Sequence, residues 1–171
     1  MSQHNADYFI ESLNETHDRK SFSCGVEALD RYFWQQAGQE ARKHIAATFI
    51  LVEMSTKKLA GYYTLSSIGI DVGELPEVIT KKLPKYSLLP ATLLGRLAVD
   101  INYKGKKLGE LLLIDALKRS FKLSKEIASM AIMVDAKNEQ AVNFYQHYGF
   151  IQFPKRTNKL FLPMATIASL A

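Results

Sequence analysis

The sequence has very little cysteine: Cys24 is the one cysteine in 171 residues. A disulfide-stapled secreted scaffold is therefore excluded, and a reducing compartment is favoured. Nine glycines and five prolines are too few for a low-complexity chain. No apolar run approaches the roughly 20 residues that a membrane-spanning helix needs. Met1 is followed by polar residues rather than by a basic and then apolar leader, so we expect no signal peptide, a cytoplasmic protein and no membrane contact.

Several motifs of common enzyme classes are also missing. The chain has no G-x-x-x-x-G-K-S/T, no G-x-G-x-x-G, no H-E-x-x-H and no G-x-S-x-G. Its histidines lack metal-ligand spacing and a nearby cysteine, so no metal is expected; they are His4, His17, His44 and His147. Cys24 lies beside Gly25 without a neighbouring histidine, which favours a packing role over a nucleophilic one.

Apolar residues make up 47% of the chain and charged residues 23%, which predicts one folded domain over residues 1–171. Apolar residues at helical spacing predict helices over 26–46, 75–83, 108–122 and 139–148, with Ser23 or Gly25 as the first cap. Runs of β-branched and apolar residues predict strands over 48–54, 60–70, 93–99 and 130–134, and near 160–162. This mixture predicts an α/β or α+β fold with a single mixed, twisted sheet flanked by helices.

Positive charge is in excess, with 22 lysines and arginines against 17 aspartates and glutamates, a net charge of +5. The basic residues form local clusters, among them Arg42-Lys43, Lys81-Lys82 and Lys104-Lys106-Lys107. Such clusters suit a polyanionic partner, either a phosphorylated cofactor or a nucleic acid. The alternative is a solvated surface with a basic bias.

One segment combines features that favour anion binding. The predicted strand ending at Val99 leads through a basic turn, residues 104–107, into the helix that contains Gly109. A helix N-terminus offers unpaired backbone N–H groups and the positive end of the helix dipole, and glycine allows close approach of a ligand. The segment therefore suits a pyrophosphate, although taken alone it could be a solvated turn.

A second segment, residues 138–150, reads N-x-x-A-x-x-F-Y-x-x-x-G-F. Together with the basic turn, it resembles the GNAT N-acetyltransferases, whose cofactor loop follows R/Q-x-x-G-x-G/A. Lys104 replaces the arginine or glutamine of that loop, and Lys107 replaces its middle glycine, whereas Gly109 is retained. Because the lysine side chain lies where backbone usually approaches phosphate, we expect weakened or rearranged cofactor binding.

Further segments narrow the resemblance to the acetyltransferase toxins of toxin–antitoxin pairs. They include Phe22-Ser23-Cys24-Gly25, Leu94 to Asp100 (LGRLAVD) and Leu160 to Met164 (LFLPM). The resemblance implies transfer of acetyl from acetyl-CoA to the α-amino group of aminoacyl-tRNA, which blocks translation. It also implies a homodimer and neutralisation by a ribbon-helix-helix antitoxin.

The same resemblance implies roles for individual residues. Tyr145 is the expected general acid, which protonates the departing CoA thiolate. The expected acetyl-CoA contacts are Leu97, Ala98, Val99, Lys104, Gly105, Lys106, Lys107, Leu108, Gly109 and Asn138. The candidate tRNA contacts are Arg42, Lys43, Lys81, Lys82 and Arg96.

Three of these residues have other interpretations. Tyr145 also belongs to an apolar stripe at helical spacing, which is typical of a core position. Arg96 either forms a salt bridge with Asp100 or Asp135, or faces a substrate phosphate. Asn138 either bonds backbone or cofactor near the pantetheine, or caps a helix.

Two other functions compete with the toxin. One is a housekeeping GNAT enzyme that acetylates a small-molecule amine or a protein. The other is an impaired acetyltransferase fold that acts as a binding module, which the substitution at Lys107 suggests.

Overall fold

The computed structural model describes residues 7–170. Met1 and His4, which entered the predictions on the leader and on metal binding, lie outside these residues. The strands are β1 (Tyr8–Ser12), β2 (Ala47–Glu53), β3 (Leu59–Asp71), β4 (Leu88–Val99), β5 (Ala131–Asp135), β6 (Ile151–Gln152) and β7 (Lys159–Pro163). The helices are α1 (Glu27–Gln35), α2 (Ala37–Arg42), α3 (Glu77–Thr80), α4 (Leu108–Leu123), α5 (Glu139–His147) and α6 (Met164–Leu170).

The seven strands form one mixed sheet in the order β1-β2-β3-β4-β5-β7-β6. β1 and β2 are antiparallel, as are β2 and β3, whereas β4 and β5 are parallel over Thr92–Leu94 and Ile132–Val134. β7 is antiparallel to both β5 and β6. The prediction of a single mixed sheet with helices is therefore confirmed.

The chain divides into two compact units. The first contains the residues up to Ser66 together with Gly95–Ala116, and the second contains Ser67–Leu94 and the residues from Leu117 onward. In the first unit, helix α1 packs its apolar residues on the sheet; this core includes Phe22, Leu29, Tyr32, Phe33, Ile50, Tyr62 and Ala98. The second unit has its own core, which includes Ile70, Leu89, Met133, Phe153 and Phe161.

The predicted single helix over 26–46 is wrong, because the structure has two helices that meet at Gln36 (φ −118°, ψ −32°). The predicted cap is wrong as well. Val26 occupies the N-cap position without a side-chain cap. Asp30, inside the helix, reaches back instead and accepts hydrogen bonds from Ser23 Oγ (2.9 Å) and from the Cys24 N–H (2.8 Å).

Two elements were not predicted, and one strand begins earlier than expected. β1 is a five-residue strand that, over residues 7–170, pairs with β2 alone, and its polar Glu11 and Ser12 hide its strand character. Helix α6 follows β7 directly. β4 begins at Leu88 rather than at residue 93 and includes Pro90, whose carbonyl oxygen accepts the Met130 N–H (2.8 Å). Proline lacks a backbone donor but keeps this acceptor, so the strand tolerates it here.

Candidate active site

The loop that joins β4 to α4 belongs to the first unit. It begins at Asp100, whose side chain and backbone fix the start of the loop. The buried Asp100 carboxylate accepts the backbone N–H groups of Ser23 (3.0 Å) and Asn102 (2.8 Å). Its own N–H donates to the carbonyl oxygen of Ala60 (2.9 Å). These bonds hold the end of β4 in a defined direction as the chain enters a short 3-10 turn, Ile101–Tyr103.

Tyr103 ties this loop to the end of β2, a contact that the sequence did not reveal. Its side chain is buried, and its hydroxyl donates to Glu53 Oε1 (2.6 Å), which also accepts from Thr56 Oγ1 (2.7 Å). Burial, followed by the hydrogen bond to Glu53, raises the pKa of Tyr103 to about 12. The same hydrogen bond is the main reason that the pKa of Glu53 is lowered. The ammonium of Lys106 lies 5.5 Å from the centre of the Tyr103 ring.

The basic turn itself has a backbone suited to glycine at two positions. Gly105 (φ +80°) and Lys107 (φ +59°) are both left-handed. Lys104, Lys106 and Lys107 are exposed, whereas Leu108 is buried at the start of α4. The turn therefore presents three ammonium groups beside a helix N-terminus, and these groups fit an anionic diphosphate. The left-handed backbone at Lys107 agrees with the glycine that the GNAT loop pattern has there.

Gly61 on β3 allows a close approach that shapes the same end of the first unit. A Cβ atom at this position would lie 2.8 Å from the carbonyl oxygen of Ala98 and 2.8 Å from Cδ1 of Leu112. Both distances are shorter than normal contacts, so a side chain here would displace β4 or α4. Gly61 lies within the predicted strand over 60–70, and the packing shows why it is glycine.

The second predicted segment forms helix α5 and its ends, in the second unit. Asn138 is the N-cap, and its side-chain oxygen accepts the Ala141 N–H (2.9 Å), so its capping role is confirmed. Gly149 (φ +93°) follows the helix in the left-handed conformation that favours glycine. Phe150 is then buried, with its ring 5.3 Å from that of Tyr145. The motif residues thus begin the helix, end it and close the packing around Tyr145.

Tyr145 lies on the buried side of α5, with 8% of its surface exposed. Phe144 contacts its ring edge-to-face at 5.2 Å between centroids. Burial raises the pKa of Tyr145 above its usual value, so the phenol keeps its proton at neutral pH. Among residues 7–170 the Tyr145 hydroxyl has no hydrogen-bond partner. A protonated phenol without a protein acceptor is available to a bound molecule.

Arg96 lies half-buried on β4 in the first unit, and its guanidinium carbon is 3.5 Å from the centre of the Tyr32 ring. Asp100, one of its two predicted salt-bridge partners, accepts backbone N–H groups instead. Within the part of the chain that the structure describes, Arg96 forms no salt bridge. Among these residues, the Tyr32 ring stabilises the positive charge of Arg96 and no carboxylate neutralises it.

The other predicted contacts lie in both units. Leu97 and Val99 are half-buried on β4, and Ala98 between them is buried. Gly109 lies in the first turn of α4. Arg42 and Lys43 end α2 in the first unit, and Lys81 and Lys82 follow α3 in the second; all four are exposed.

The remaining candidates are explained by packing. Cys24 is buried, and burial raises the pKa of its thiol, in agreement with the predicted packing role. His17 forms a hydrogen bond through Nε2 to Glu11 (2.8 Å). Over residues 7–170, no group of histidine, cysteine, aspartate and glutamate side chains could hold a metal ion. In the same range no helix is both long enough and apolar enough to cross a membrane.

Three features together are typical of the acetyltransferase class. Strand β4 leads into a basic turn, the turn precedes helix α4, and a buried tyrosine follows a capping asparagine on α5. The family described as the Acetyltransferase (GNAT) domain matches residues 87–166. This chain belongs to the GNAT acetyltransferases, and it is an enzyme of the N-acetyltransferase type. The predicted family is confirmed.

Two curated relatives are similar along nearly their whole length. A tRNA-acetylating toxin of Mycobacterium tuberculosis is 30% identical over 159 residues, which cover 92% of this chain and 93% of the relative. A probable toxin TacT of Sinorhizobium fredii is 29% identical over 169 residues, which cover 94% of this chain and 93% of the relative.

Solved structures agree with this assignment. A tyrosine-to-phenylalanine mutant of KacT superposes with a TM-score of 0.90 at 33% identity, over 96% of this chain and 99% of that chain. AtaT in complex with acetyl-methionyl-tRNAfMet gives a TM-score of 0.89 at 31% identity, over 96% and 99%. AtaTR bound with acetyl-CoA gives a TM-score of 0.84 at 31% identity, over 96% and 98%.

Proposed function

We propose that this protein is an acetyl-CoA-dependent toxin that acetylates the α-amino group of aminoacyl-tRNA and thereby blocks translation. The M. tuberculosis relative is a tRNA-acetylating toxin, and AtaT has been solved with an acetylated aminoacyl-tRNA. Both similarities cover more than nine-tenths of this chain. A peptidyl-transferase reaction needs a free α-amino group, so an acetylated aminoacyl-tRNA cannot accept the growing peptide.

The observation that carries the proposal is the state of Tyr145. Its hydroxyl is protonated, lies on a nearly buried side chain and has no hydrogen-bond partner among residues 7–170. Acetyl transfer requires an amine to attack the thioester carbon and a thiolate to leave. Tyr145 is the general acid that donates its proton to the sulfur as the C–S bond breaks, and the proton that the attacking nitrogen loses passes through solvent and restores the phenol.

The first unit contains most of the proposed cofactor contacts. The ammonium groups of Lys104 and Lys106 bind the diphosphate of acetyl-CoA through charge. The backbone N–H groups of Lys107 and of the N-terminus of α4 at Leu108–Gly109 bind it through hydrogen bonds. The backbone of Leu97–Val99 lies along the pantetheine arm, and an N–H there polarises the thioester carbonyl. Gly105 provides the left-handed backbone of the turn. Asn138, which caps α5 in the second unit, is a further candidate for binding the pantetheine.

The basic residues outside this loop bind the tRNA. Arg42, Lys43, Lys81 and Lys82 are exposed and contact tRNA phosphates, and Arg96 contributes a half-buried charge. An aminoacyl ester has a less basic amine than an ordinary α-amino group, whose pKa is about 7.7–8.0. Much of the substrate is therefore already neutral at cellular pH, and the reaction needs no dedicated protein base.

The proposal includes partners and location. The protein acts in the cytoplasm as a homodimer, and a ribbon-helix-helix antitoxin neutralises it. A mutant of the AtaT toxin has been solved bound to the C-terminus of the antitoxin AtaR, and this supports a paired antitoxin. Light scattering of the purified protein tests the dimer. Co-expression with the neighbouring gene product, followed by a growth assay, tests the antitoxin.

One experiment tests the activity. The protein is incubated with radiolabelled acetyl-CoA and a tRNA pool charged with the full set of amino acids, and the label is followed by acid precipitation before and after deacylation. Label that leaves the tRNA together with the amino acid supports the proposal. Label transferred only to free small amines supports a housekeeping acetyltransferase, and absence of both transfer and acetyl-CoA binding supports an impaired binding module; either result overturns the proposal.

A further inference from the structure

Arg96 is a half-buried cation without an anionic partner among residues 7–170. The nearest candidate along the chain, Asp100, accepts the N–H groups of Ser23 and Asn102. A partly desolvated guanidinium retains five N–H donors that match the geometry of a phosphate. Its charge therefore points to an anionic ligand rather than to a structural ion pair.

The ring beneath the guanidinium is held firmly. Tyr32 is 3% exposed and belongs to the core that contains Phe33 and Tyr62. Its hydroxyl donates to Glu40 Oε1 (2.8 Å). Burial and this bond raise the pKa of Tyr32 to about 12, so it remains a neutral donor at physiological pH. The Arg96 guanidinium therefore stacks on a Tyr32 ring whose orientation is fixed by burial and by the hydrogen bond to Glu40.

Glu40 connects this platform to a basic cluster in the same unit. Tyr32 lies on α1 and Glu40 on α2, so their hydrogen bond bridges the break at Gln36. The carbonyl oxygen of Glu40 accepts the N–H of Ile45 (2.9 Å), which closes the turn that follows Arg42 and Lys43. One residue thus joins the platform of Arg96 to a proposed tRNA-binding cluster.

We infer that Tyr32, held by Glu40, is a positioning residue that directs the Arg96 guanidinium toward a phosphodiester at the aminoacylated end of the tRNA. This inference rests on the proposed function and adds to it the residues that orient one substrate contact. Tyr32 acts through Arg96 and takes no part in the transfer of the acetyl group. The chemistry at the thioester therefore does not depend on it directly.

The test is steady-state kinetics with a charged tRNA pool and, as a phosphate-free acceptor, amino acid methyl esters. A cation–π contact of this kind corresponds to roughly threefold to thirtyfold in affinity. We expect Tyr32→Leu to raise KM for charged tRNA by about tenfold with little change in kcat. Arg96→Gln raises the same KM at least as much. Tyr32→Phe keeps the ring but loses the hydrogen bond to Glu40, so it has a smaller effect, as does Glu40→Ala.

Two comparisons separate positioning from a general structural effect. Tyr62→Phe is the matched control, because Tyr62 is an equally buried tyrosine of the same core whose hydroxyl donates to the Leu29 carbonyl oxygen (2.7 Å). It should leave KM for charged tRNA unchanged. In the double variant Tyr32→Leu/Arg96→Gln, KM should not exceed that of Arg96→Gln alone, because the ring acts only through the guanidinium.

Three results would overturn the inference. These are additive effects in the double variant, equal losses on methyl esters and on charged tRNA, and an unchanged KM in Tyr32→Leu. If Tyr32→Leu does not fold, as judged by circular dichroism, Tyr32→Phe and Glu40→Ala decide the question, because both remove the hydrogen bond that holds the ring. Each should raise KM for charged tRNA, and an unchanged KM in both overturns the inference. If the wild-type protein does not acetylate charged tRNA, the proposed function itself fails, and this is visible before any variant is measured.

Discussion

At the scale of single residues, Tyr145 shows how one environment serves both packing and chemistry. Phe144 and Phe150 pack around its ring, and this burial raises the pKa of the phenol. A raised pKa makes the free phenol a weaker acid, but it keeps the proton in place for the proposed reaction, in which a basic thiolate develops beside it. The apolar stripe that predicts a core position and the motif that predicts a general acid therefore describe the same side chain.

Tyr145→Phe should lower kcat for acetyl transfer by about 10²–10⁴, the usual contribution of a positioned general acid. The Kd for acetyl-CoA and the melting temperature should stay close to wild type, because the ring and its packing are retained. Stopped-time acetylation assays, calorimetry and thermal unfolding measure the three quantities. Tyr148→Phe, which removes a hydroxyl from the end of the same helix, is the control and should keep the wild-type rate. A Tyr145→Phe enzyme with full activity would contradict the assignment.

At Lys107 the backbone conformation favours glycine, whereas the lysine side chain supplies a positive charge. Its left-handed φ of +59° is unfavourable for a residue with a Cβ atom, but its ammonium lies in the loop proposed to bind a diphosphate. Lys107 therefore adopts a left-handed backbone conformation that is strained for a residue with a side chain.

Lys107→Gly should therefore raise the free energy of unfolding by up to about 1 kcal/mol, because glycine adopts this conformation without the steric cost. Acetyl-CoA affinity should be kept or improved. Urea denaturation and calorimetry are the measurements. Lys106→Gly removes the same charge from a position without a left-handed backbone and should bring no stabilisation. A large loss of acetyl-CoA affinity in Lys107→Gly alone would show that the ammonium is an essential phosphate ligand.

At the scale of elements, the end of β4 is defined by contacts with segments far away in the chain. Asp100 accepts the N–H of Ser23, and Tyr103 bonds Glu53 at the end of β2. Gly61 lets β3 lie close to the carbonyl oxygen of Ala98 and to Leu112 on α4. Together these contacts set the direction in which the chain leaves β4 and enters the basic turn.

Gly61→Ala should destabilise the fold by about 1–3 kcal/mol, because a Cβ atom 2.8 Å from a backbone carbonyl oxygen forces β4 to move. The same movement should weaken acetyl-CoA binding. Thermal unfolding and calorimetry test both effects. Gly69→Ala is the matched control on the same strand, since its Cβ would meet Leu88 at an ordinary 3.7 Å. Equal behaviour of the two variants would show that the close approach at Gly61 has no special role.

At the scale of the whole molecule, the net charge of +5 is consistent with a polyanionic substrate. Lys81 and Lys82 lie in one unit, and Arg42 and Lys43 in the other, all of them exposed. Exposed clusters of this kind act through phosphate neutralisation and counterion release, so their contribution depends on salt.

Reversal of charge at Arg42, Lys43, Lys81 and Lys82 should weaken acetylation of charged tRNA and flatten its salt dependence. Each lost phosphate contact removes a slope of roughly 0.7–0.9 in log K against log salt. Kinetics over a salt series measure this slope, and acetylation of a small amine reports on the chemistry alone. Reversal at Lys118 and Lys122, exposed on α4, is the control for net charge and is compared with reversal at Arg42 and Lys43 alone, which changes the net charge by the same amount. Equal losses with the control variant would indicate a nonspecific effect of charge, and no loss would favour a small-molecule acetyltransferase.

Much of the fold and the family could be predicted from the sequence, because the signals are local. The mixed sheet with helices follows from runs of β-branched residues and from apolar residues at helical spacing. The segment 138–150 determines its own helix, since Asn138 caps it and Gly149 ends it within the same stretch of chain. The basic turn and its helix N-terminus are likewise adjacent in sequence. Interactions over a few residues need no knowledge of the rest of the fold.

The tertiary structure decided what depends on residues distant in the chain. Four features of the fold have no local pattern in the sequence. They are the break at Gln36, the bond from Tyr103 to Glu53, the close approach at Gly61 and the stack of Arg96 on Tyr32. Each joins or orients segments through packing, and a single sequence does not record which distant side chain fills a given space. Arg96 is the clearest case: two carboxylates could have neutralised it, and in the fold an aromatic ring supports it instead, because Asp100 is required by the backbone around it.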